Sequence, residues 1–199
     1  MRPRAWLAGK LMSPSSIVFY RTRTSANVER LPLEAAYASE WWRPALFRIA
    51  PRGLPFVPFA VWWLMHVFRI FTNRGYSMLL IRRNREVVHR SVVFPKYFRF
   101  PFMADEDLQI GDVWTSENHR GKGLAGFALR EILRRDPQHH RTYWYISEAA
   151  NFPSIRMAEK AGFEKVGEGA RTSRCGLRLL GAFVLRQGPA GKREQQTAW

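Results

Sequence analysis

Between Asp112 and Ala125 the chain reads Asp-Val-Trp-Thr-Ser-Glu-Asn-His-Arg-Gly-Lys-Gly-Leu-Ala, and this stretch limits the fold more than any other. Its first residues continue a strand-like run over 108–115. Its last residues open an amphipathic helix over 124–135, with Leu124, Ala128, Ile132 and Leu133 on one face and Asp136-Pro137 as its stop. A short basic loop containing Gly121 and Gly123 joins the two. Glycine there lets backbone N–H groups approach a diphosphate with no Cβ in the way, and the following helix adds the positive end of its dipole. Arg120 and Lys122 add full charges. Two other phosphate-binding designs do not fit: a dinucleotide fold wants Gly-x-Gly-x-x-Gly at the first strand, where none stands, and no Gly-Lys-Ser/Thr occurs.

The flanking pattern is mixed. The run Ile17-Val18-Phe19-Tyr20 within 16–21 suits a buried first strand, and 33–49 and 59–71 read as helices. Pro51, Gly53, Pro55 and Pro58 punctuate the segment between those helices. Strands are expected over 77–82 and 86–94, joined by a tight turn at Arg83-Asn84-Arg85, and again over 142–147, 163–167 and 177–185. A second short helix is expected over 153–161, stopped by Gly162. Strands followed by helix, strand, helix and strand place the chain in the α/β or α+β class around a central sheet. At 199 residues it is long enough for one domain with a sizeable core. We expect a basic lead at 1–14, the domain at 15–186 and a polar tail at 187–199.

The pattern Arg120-x-x-Gly123-x-Ala125, after a strand and opening a helix, resembles the Arg/Gln-x-x-Gly-x-Gly/Ala signature of the GNAT superfamily of N-acetyltransferases. A second element follows at a suitable distance. Asn151-Phe152-Pro153-Ser154 through Glu159-Lys160-Ala161-Gly162-Phe163 looks like that family's Asn-x-x-Ser/Ala helix ending in Glu-Lys-x-Gly-Phe. The resemblance covers roughly 75–185. It implies a GNAT fold, a central mixed and mostly antiparallel sheet flanked by helices. It also implies acetyl-CoA as co-substrate and direct attack of an amine on the thioester.

Carried over by position, the backbone of Val113 and Thr115, on either side of Trp114, would pair with the pantetheine arm. One of those N–H groups would hold the oxyanion of the tetrahedral intermediate. Arg120, Gly121, Lys122, Gly123, Leu124 and Ala125 would hold the pyrophosphate, and Asn151 and Ser154 would line the cofactor side. The sequence departs from the family at Ala158, where many members carry a tyrosine that protonates the departing thiolate. Tyr143 or Tyr145 could replace it, solvent could, or fast catalysis has been lost. For the general base, Asp112, Glu148 and His89 are the candidates. Each has a plain alternative, the carboxylates as solvated rim residues and the histidine as a hydrogen-bonded sheet residue.

Charge narrows the partners without choosing one. The net charge of +16 favours CoA, an acidic acyl carrier protein, phospholipid headgroups or nucleic acid. Cys175 is the single cysteine, which excludes an internal disulfide and fits a reducing compartment. The apolar run Trp6-Leu7-Ala8 is cut by Lys10, so no export signal is expected and the chain reads as cytoplasmic. Residues 54–68 carry no formal charge and include Phe59, Trp62, Trp63 and Phe68, with Arg48, Arg52 and Arg69 around them. They fall short of the about 20 residues needed to span a bilayer. From 59 to 71 they suit a helix covering the sheet as an acceptor wall, with His66, Arg69 and Asn73 on its polar stripe. That reading comes first; the second is an interfacial helix lying on the inner face of a membrane.

Residues 94–103 alternate aromatic and basic side chains, a pattern that can stack bases, but no nucleic-acid-binding signature accompanies it. A substrate-pocket wall is expected there, and nucleic acid is not the expected partner. His139-His140 has no further ligands at metal spacing, so no metal site is expected. Three functions stand open. One is acetyl transfer to a small or lipid-linked amine, such as an amino sugar of a surface-polysaccharide precursor. The others are transfer of a longer acyl chain from acyl carrier protein, and non-catalytic binding of an anionic surface.

Overall fold

Met78, Leu79, Leu80 and Ile81 are consecutive and fully buried, and a strand apolar on both sides has to lie inside a sheet covered on both faces. They belong to β3 (Ser77–Arg83). The computed structural model that shows this describes residues 16–23, 28–136, 138, 141–173 and 181–187. The expected basic lead, the tail from 188 onward, Cys175 and His139-His140 lie outside the described residues. The other strands are β1 (Ile17–Arg23), β2 (Ala38–Trp42), β4 (Glu86–Pro95), β5 (Leu108–Thr115), β6 (Thr142–Glu148), β7 (Glu164–Arg171) and β8 (Phe183–Gln187). Helices α1 (Phe56–Val67), α2 (Leu124–Arg135) and α3 (Phe152–Lys160), with a single 3-10 turn at Glu117–His119, complete the described elements.

The strands form one sheet in the order β2-β3-β4-β5-β6-β1-β7-β8. All neighbours pair antiparallel except β5 and β6, which run parallel and are linked through α2. This is the mixed, mostly antiparallel α/β architecture that the resemblance implies. Helices α2 and α3 cover one face, where Leu124, Phe127, Ala128 and Ile132 meet Ile110, Tyr145, Ala158 and Phe163. Helix α1 and the connection between β4 and β5 cover the other, with Phe59, Phe94, Tyr97, Phe100, Met103 and Trp144 in contact. Each fully buried side chain of this size contributes about 1.5–3 kcal/mol.

Three expectations need correction. The stretch 33–49 is not a helix; its centre is β2, an edge strand whose Trp41 pairs with Leu79 and Trp42 with Met78. Trp41 packs toward one core and Trp42 toward the other, which requires the period-two alternation of a strand. Pro44 then bars helical continuation, since the residue before a proline avoids the helical region. Helix α1 begins at Phe56, three residues earlier than expected, because Pro58 falls in the first turn, where its missing N–H costs nothing. It ends at Val67, and Arg69 turns left-handed at φ 56°, so Arg69 and Asn73 are not part of a helical stripe with His66. At the C-terminal side β7 extends to Arg171, and the last strand among the described residues is Phe183–Gln187; of the expected strand over 177–185, residues 177–180 lie outside the described residues and 181–182 are not in a strand.

One buried polar group stitches the centre of the sheet. His89 of β4 has no exposure; its Nδ1 lies 2.8 Å from Thr115 Oγ1 and its Nε2 2.9 Å from Ser91 Oγ. Burial, with the nearby Arg90 charge adding to it, pushes the imidazole down to about 3 from its ordinary 6.5. Between those values the unfolded chain holds a proton that the folded chain refuses, so stability falls as pH drops below 6.5. At 1.36 kcal/mol per unit this costs about 2 kcal/mol between pH 7 and 5. Thermal denaturation at pH 7 and pH 5 should therefore show a smaller acid-induced drop in Tm for His89→Gln than for the parent chain. An equal drop in both would mean that His89 takes up a proton in the folded state.

Candidate active site

The site is built on an irregularity in β5. Arg90 pairs with Trp114 and Val92 with Gly111, so Ser91 faces two residues, Asp112 and Val113. This is a β-bulge, which bends its strand and breaks the local ladder. Asp112 takes φ 44°, in the left-handed region that aspartate tolerates better than most side chains. Arg90 holds it there with a two-pronged contact: Nε donates to Oδ2 at 2.8 Å and Nη2 to Oδ1 at 3.1 Å. The same guanidinium lies 5.1 Å from the Trp114 ring centre.

Beyond the bulge β5 leaves its other neighbour. Parallel pairing with β6 covers only Leu108↔Tyr143 to Ile110↔Tyr145, yet β5 continues to Thr115 and β6 to Glu148. Between them opens a cleft with the Asp112–Thr115 backbone on one side. Ser116 N–H donates to the Val88 carbonyl at 2.9 Å, and the Tyr37 hydroxyl lies 3.0 Å from His119 Nδ1. These contacts fix the turn that carries the chain into the basic loop.

In that loop Gly121 and Gly123 have φ 76° and 74°, and a Cβ on either would meet nothing within 4 Å. Backbone conformation therefore selects glycine there, and the space above the loop is open. Helix α2 starts at this point with no side-chain cap and no acidic residue in its first turn, while Phe127 N–H already donates to the Gly123 carbonyl. The N–H groups ahead of Phe127 have no intrahelical partner and face an anion-favouring dipole end. Leu124 buries its side chain and offers only its backbone; Gly121, Lys122 and Gly123 are exposed. Arg120 arches back, its Nε donating to the Thr115 carbonyl at 3.3 Å.

The second motif meets the first through β6. Asn151 caps α3, its Oδ1 accepting from Ser154 N–H at 3.2 Å, and Ser154 Oγ lies 2.5 Å from the Tyr145 hydroxyl. Burial raises the Tyr145 phenol, although the Ser154 hydrogen bond opposes the shift. Tyr143 donates to Asp136 Oδ2 at 2.8 Å near the end of α2, and burial beside that carboxylate raises it well above its ordinary value. Ala158 is fully buried in the core shared with α2. The structure thus joins Asn151, Ser154 and Tyr145 in one network and places Tyr143 in another.

A cavity of about 340 Å³ lies on the α1 face of the cleft, lined by Asp112, Glu148, Gln109, Arg99, Trp62 and Phe94 among others. Two of the three base candidates, Asp112 and Glu148, therefore share one chamber, whereas His89 is sealed within the sheet. The aromatic-basic run supplies part of this wall through Phe94, Tyr97, Arg99 and Phe100. Sequence reasoning missed Arg171 and Phe183, which arrive from β7 and β8; no motif marks them, since only the folded sheet brings them here. The Arg99 and Arg171 guanidinium carbons lie 5.4 and 5.6 Å from the Phe183 ring centre. Arg99 Nε is buried and has no hydrogen-bond partner among the described residues. No cluster with the makings of a metal site occurs among the described residues.

Comparison with known proteins agrees with this layout. The acetyltransferase (GNAT) family matches residues 36–163, from just before β2 through Phe163. Similar solved structures include a GCN5-related N-acetyltransferase from Sphaerobacter thermophilus, with a TM-score of 0.53 and 15% identity, covering 77% of this chain and 49% of that one. Another is a tandem GNAT protein from the clavulanic acid biosynthesis pathway, with a TM-score of 0.54 and 16% identity, covering 76% and 50%. At such identity they share the fold, and this chain spans about half their length. No curated protein matches the sequence. With the match extending over more than half of the chain and containing both the glycine loop and α3, the protein belongs to the acetyltransferase (GNAT) family.

Proposed function

We propose that this protein transfers an acetyl group from acetyl-CoA to a primary amine by direct attack. The observation that carries the reading is the continuity between the cleft opened by the bulge and the uncapped, glycine-lined start of α2. Pantetheine lies along the free edge of β5 and pairs with the backbone of Val113 and Thr115, while the pyrophosphate sits on the N–H groups from Arg120 to Ala125. An N–H of the β5 edge polarises the thioester carbonyl and holds the oxyanion. The amine nitrogen forms the new C–N bond, the C–S bond breaks, and CoA leaves as thiolate with the electron pair. A thiol of pKa near 8.5 is a fair leaving group, so solvent can protonate it, and Ala158 is compatible with turnover.

The amine enters from the 340 Å³ chamber. Glu148 is the base in this reading. Asp112 is held by Arg90 and serves the bulge, and His89, neutral and sealed, keeps β4 and β5 in register. Tyr145 positions α3 through Ser154. A chamber lined by carboxylates and by Arg99 suits an acceptor that carries an anionic group, a carboxylate or phosphate, besides its amine. A lipid-linked amino sugar has that chemistry.

Acetyl-CoA at a hundredfold excess over Kd should stabilise the chain by about 2.7 kcal/mol in a thermal-shift titration. Ala125→Glu should abolish that shift, since its carboxylate meets the pyrophosphate, yet hold or raise the Tm without ligand, since an acid in the first turn suits the dipole. A larger shift with palmitoyl-CoA than with acetyl-CoA would replace this reading by longer-chain acyl transfer; no shift with either would leave a GNAT-fold protein that binds without turnover. Across a panel of amines, Glu148→Gln should lower kcat/KM by about a hundredfold or more at pH 7, recovering as pH rises and the free amine becomes abundant. Arg99→Met should raise KM for amines bearing a carboxylate or phosphate and leave neutral amines unchanged.

A further inference from the structure

Apart from His66, helix α1 is apolar all round, which a surface helix is not. Its inner stripe is accounted for: Phe59 is buried, Trp62 meets both Phe59 and Phe94 edge-on, and Met65 packs on the same core. The opposite stripe is Phe56, Val57, Val61, Leu64, Val67 and, one residue past the end, Phe68. All are exposed, Val57 and Phe68 by 71% and 72%. At 3.6 residues per turn these side chains fall within an arc of about 140°. Leu46 and Phe47 enlarge the patch, Phe47 at 93% exposure. Their turn is pinned to the helix by Trp63 Nε1, which donates to the Ala45 carbonyl at 2.9 Å. Ile70 follows directly after the helix and is half exposed. A continuous apolar surface of this kind marks an interaction site.

The charge around it names the partner. From residue 41 to 85 the chain has eight arginines and no aspartate, glutamate or lysine. Arg43, Arg52, Arg69 and Arg74 are exposed and make no ion pair among the described residues. A second copy docked through the same patch would bring two such arginine rims together, and like charges across an interface oppose association. An anionic lipid surface satisfies both features at once: apolar side chains enter the headgroup–acyl boundary, and arginines reach phosphates. No described helix is long and apolar enough to cross a membrane, so a membrane contact through α1 would be along the surface.

We infer that the outer face of α1, with the 46–47 turn, docks this protein on an anionic membrane. Trp62 of the inner stripe also lines the acceptor chamber, so the docked face adjoins that chamber; this link to a lipid-borne acceptor rests on the transfer reading, while docking itself does not.

The test is co-sedimentation of the full chain with phosphatidylcholine vesicles, with and without phosphatidylserine, at low and high salt. Because a chain of net charge +16 is drawn to any anionic vesicle, the deciding variant keeps the charge: Val57→Ser, Leu64→Ser and Phe68→Ser together. We expect binding to phosphatidylserine vesicles at low salt, and about a tenfold or greater loss in the serine variant. These side chains are exposed, so circular dichroism and Tm should be unchanged. No binding of the parent chain, or equal binding of parent and variant, overturns the inference. So does a concentration-dependent dimer in sedimentation equilibrium that the serine variant abolishes, since that assigns the face to a second copy. A missing acetyl-CoA shift with vesicle binding intact would remove the transfer reading alone.

Discussion

The contact between Arg90 and Asp112 decides what the rest of the sheet can do. A regular β5 would keep its ladder with β6 to the end, and there would be no cleft. The bulge adds one residue against Ser91, turns the strand and frees its outer edge. Holding aspartate at φ 44° costs about 1–2 kcal/mol. A two-pronged guanidinium–carboxylate contact, with both side chains mostly shielded from water, is of the right size to offset that. His89 works beside it: its contact with Thr115 ties β4 to β5 past the bulge, and its contact with Ser91, within β4, fixes the residue that the bulge faces. The irregularity is thus braced on one face by an ion pair and within the sheet by a neutral imidazole.

The bulge also divides labour between the faces of the sheet. Toward α2 and α3 the open edge meets a loop whose glycines leave space and whose helix end lacks a cap. Toward α1 it meets an aromatic chamber holding Glu148 and Arg99. Donor and acceptor in the proposed reaction would approach from opposite sides and meet at the one stretch of backbone common to both.

What could be read from the sequence followed how local the physics was. Gly121 and Gly123 announce their left-handed backbone because no other residue adopts it as cheaply, and the apolar face of α2 follows from spacing alone. Asn151 announces a helix start through its own side chain. Trp41 and Trp42 misled because two adjacent aromatics fit a helix or a strand until one knows that each meets a different core. Arg171 and Phe183 reach the chamber through pairings of β7 with β1 and β8, and nothing near them in the chain records that. The bulge itself was invisible: it is a mismatch between two strands, and Asp112 alone looks like an ordinary rim carboxylate. For α1 the sequence suggests one polar stripe through His66, Arg69 and Asn73; only the packed structure ends the helix at Val67 and tells which apolar side is left over.

The positive charge then acquires a reason beyond any single contact. In the proposed reaction a cation must lose its proton and a thioester must release an anion. A surrounding positive field favours both changes: it disfavours the ammonium form of the acceptor and stabilises the departing thiolate. With Ala158 where a phenol would donate a proton, that field supplies part of what the missing acid would have supplied. In the two proposed readings the same field would draw the phosphates of CoA to the loop and anionic lipid to the arginine rim of α1. Near the surface its reach is about 8 Å at physiological salt, so in the proposed reaction the charges that count are those at the site, Arg99 and Arg120, since Arg90 is offset by Asp112, while the rim is left to the proposed membrane contact.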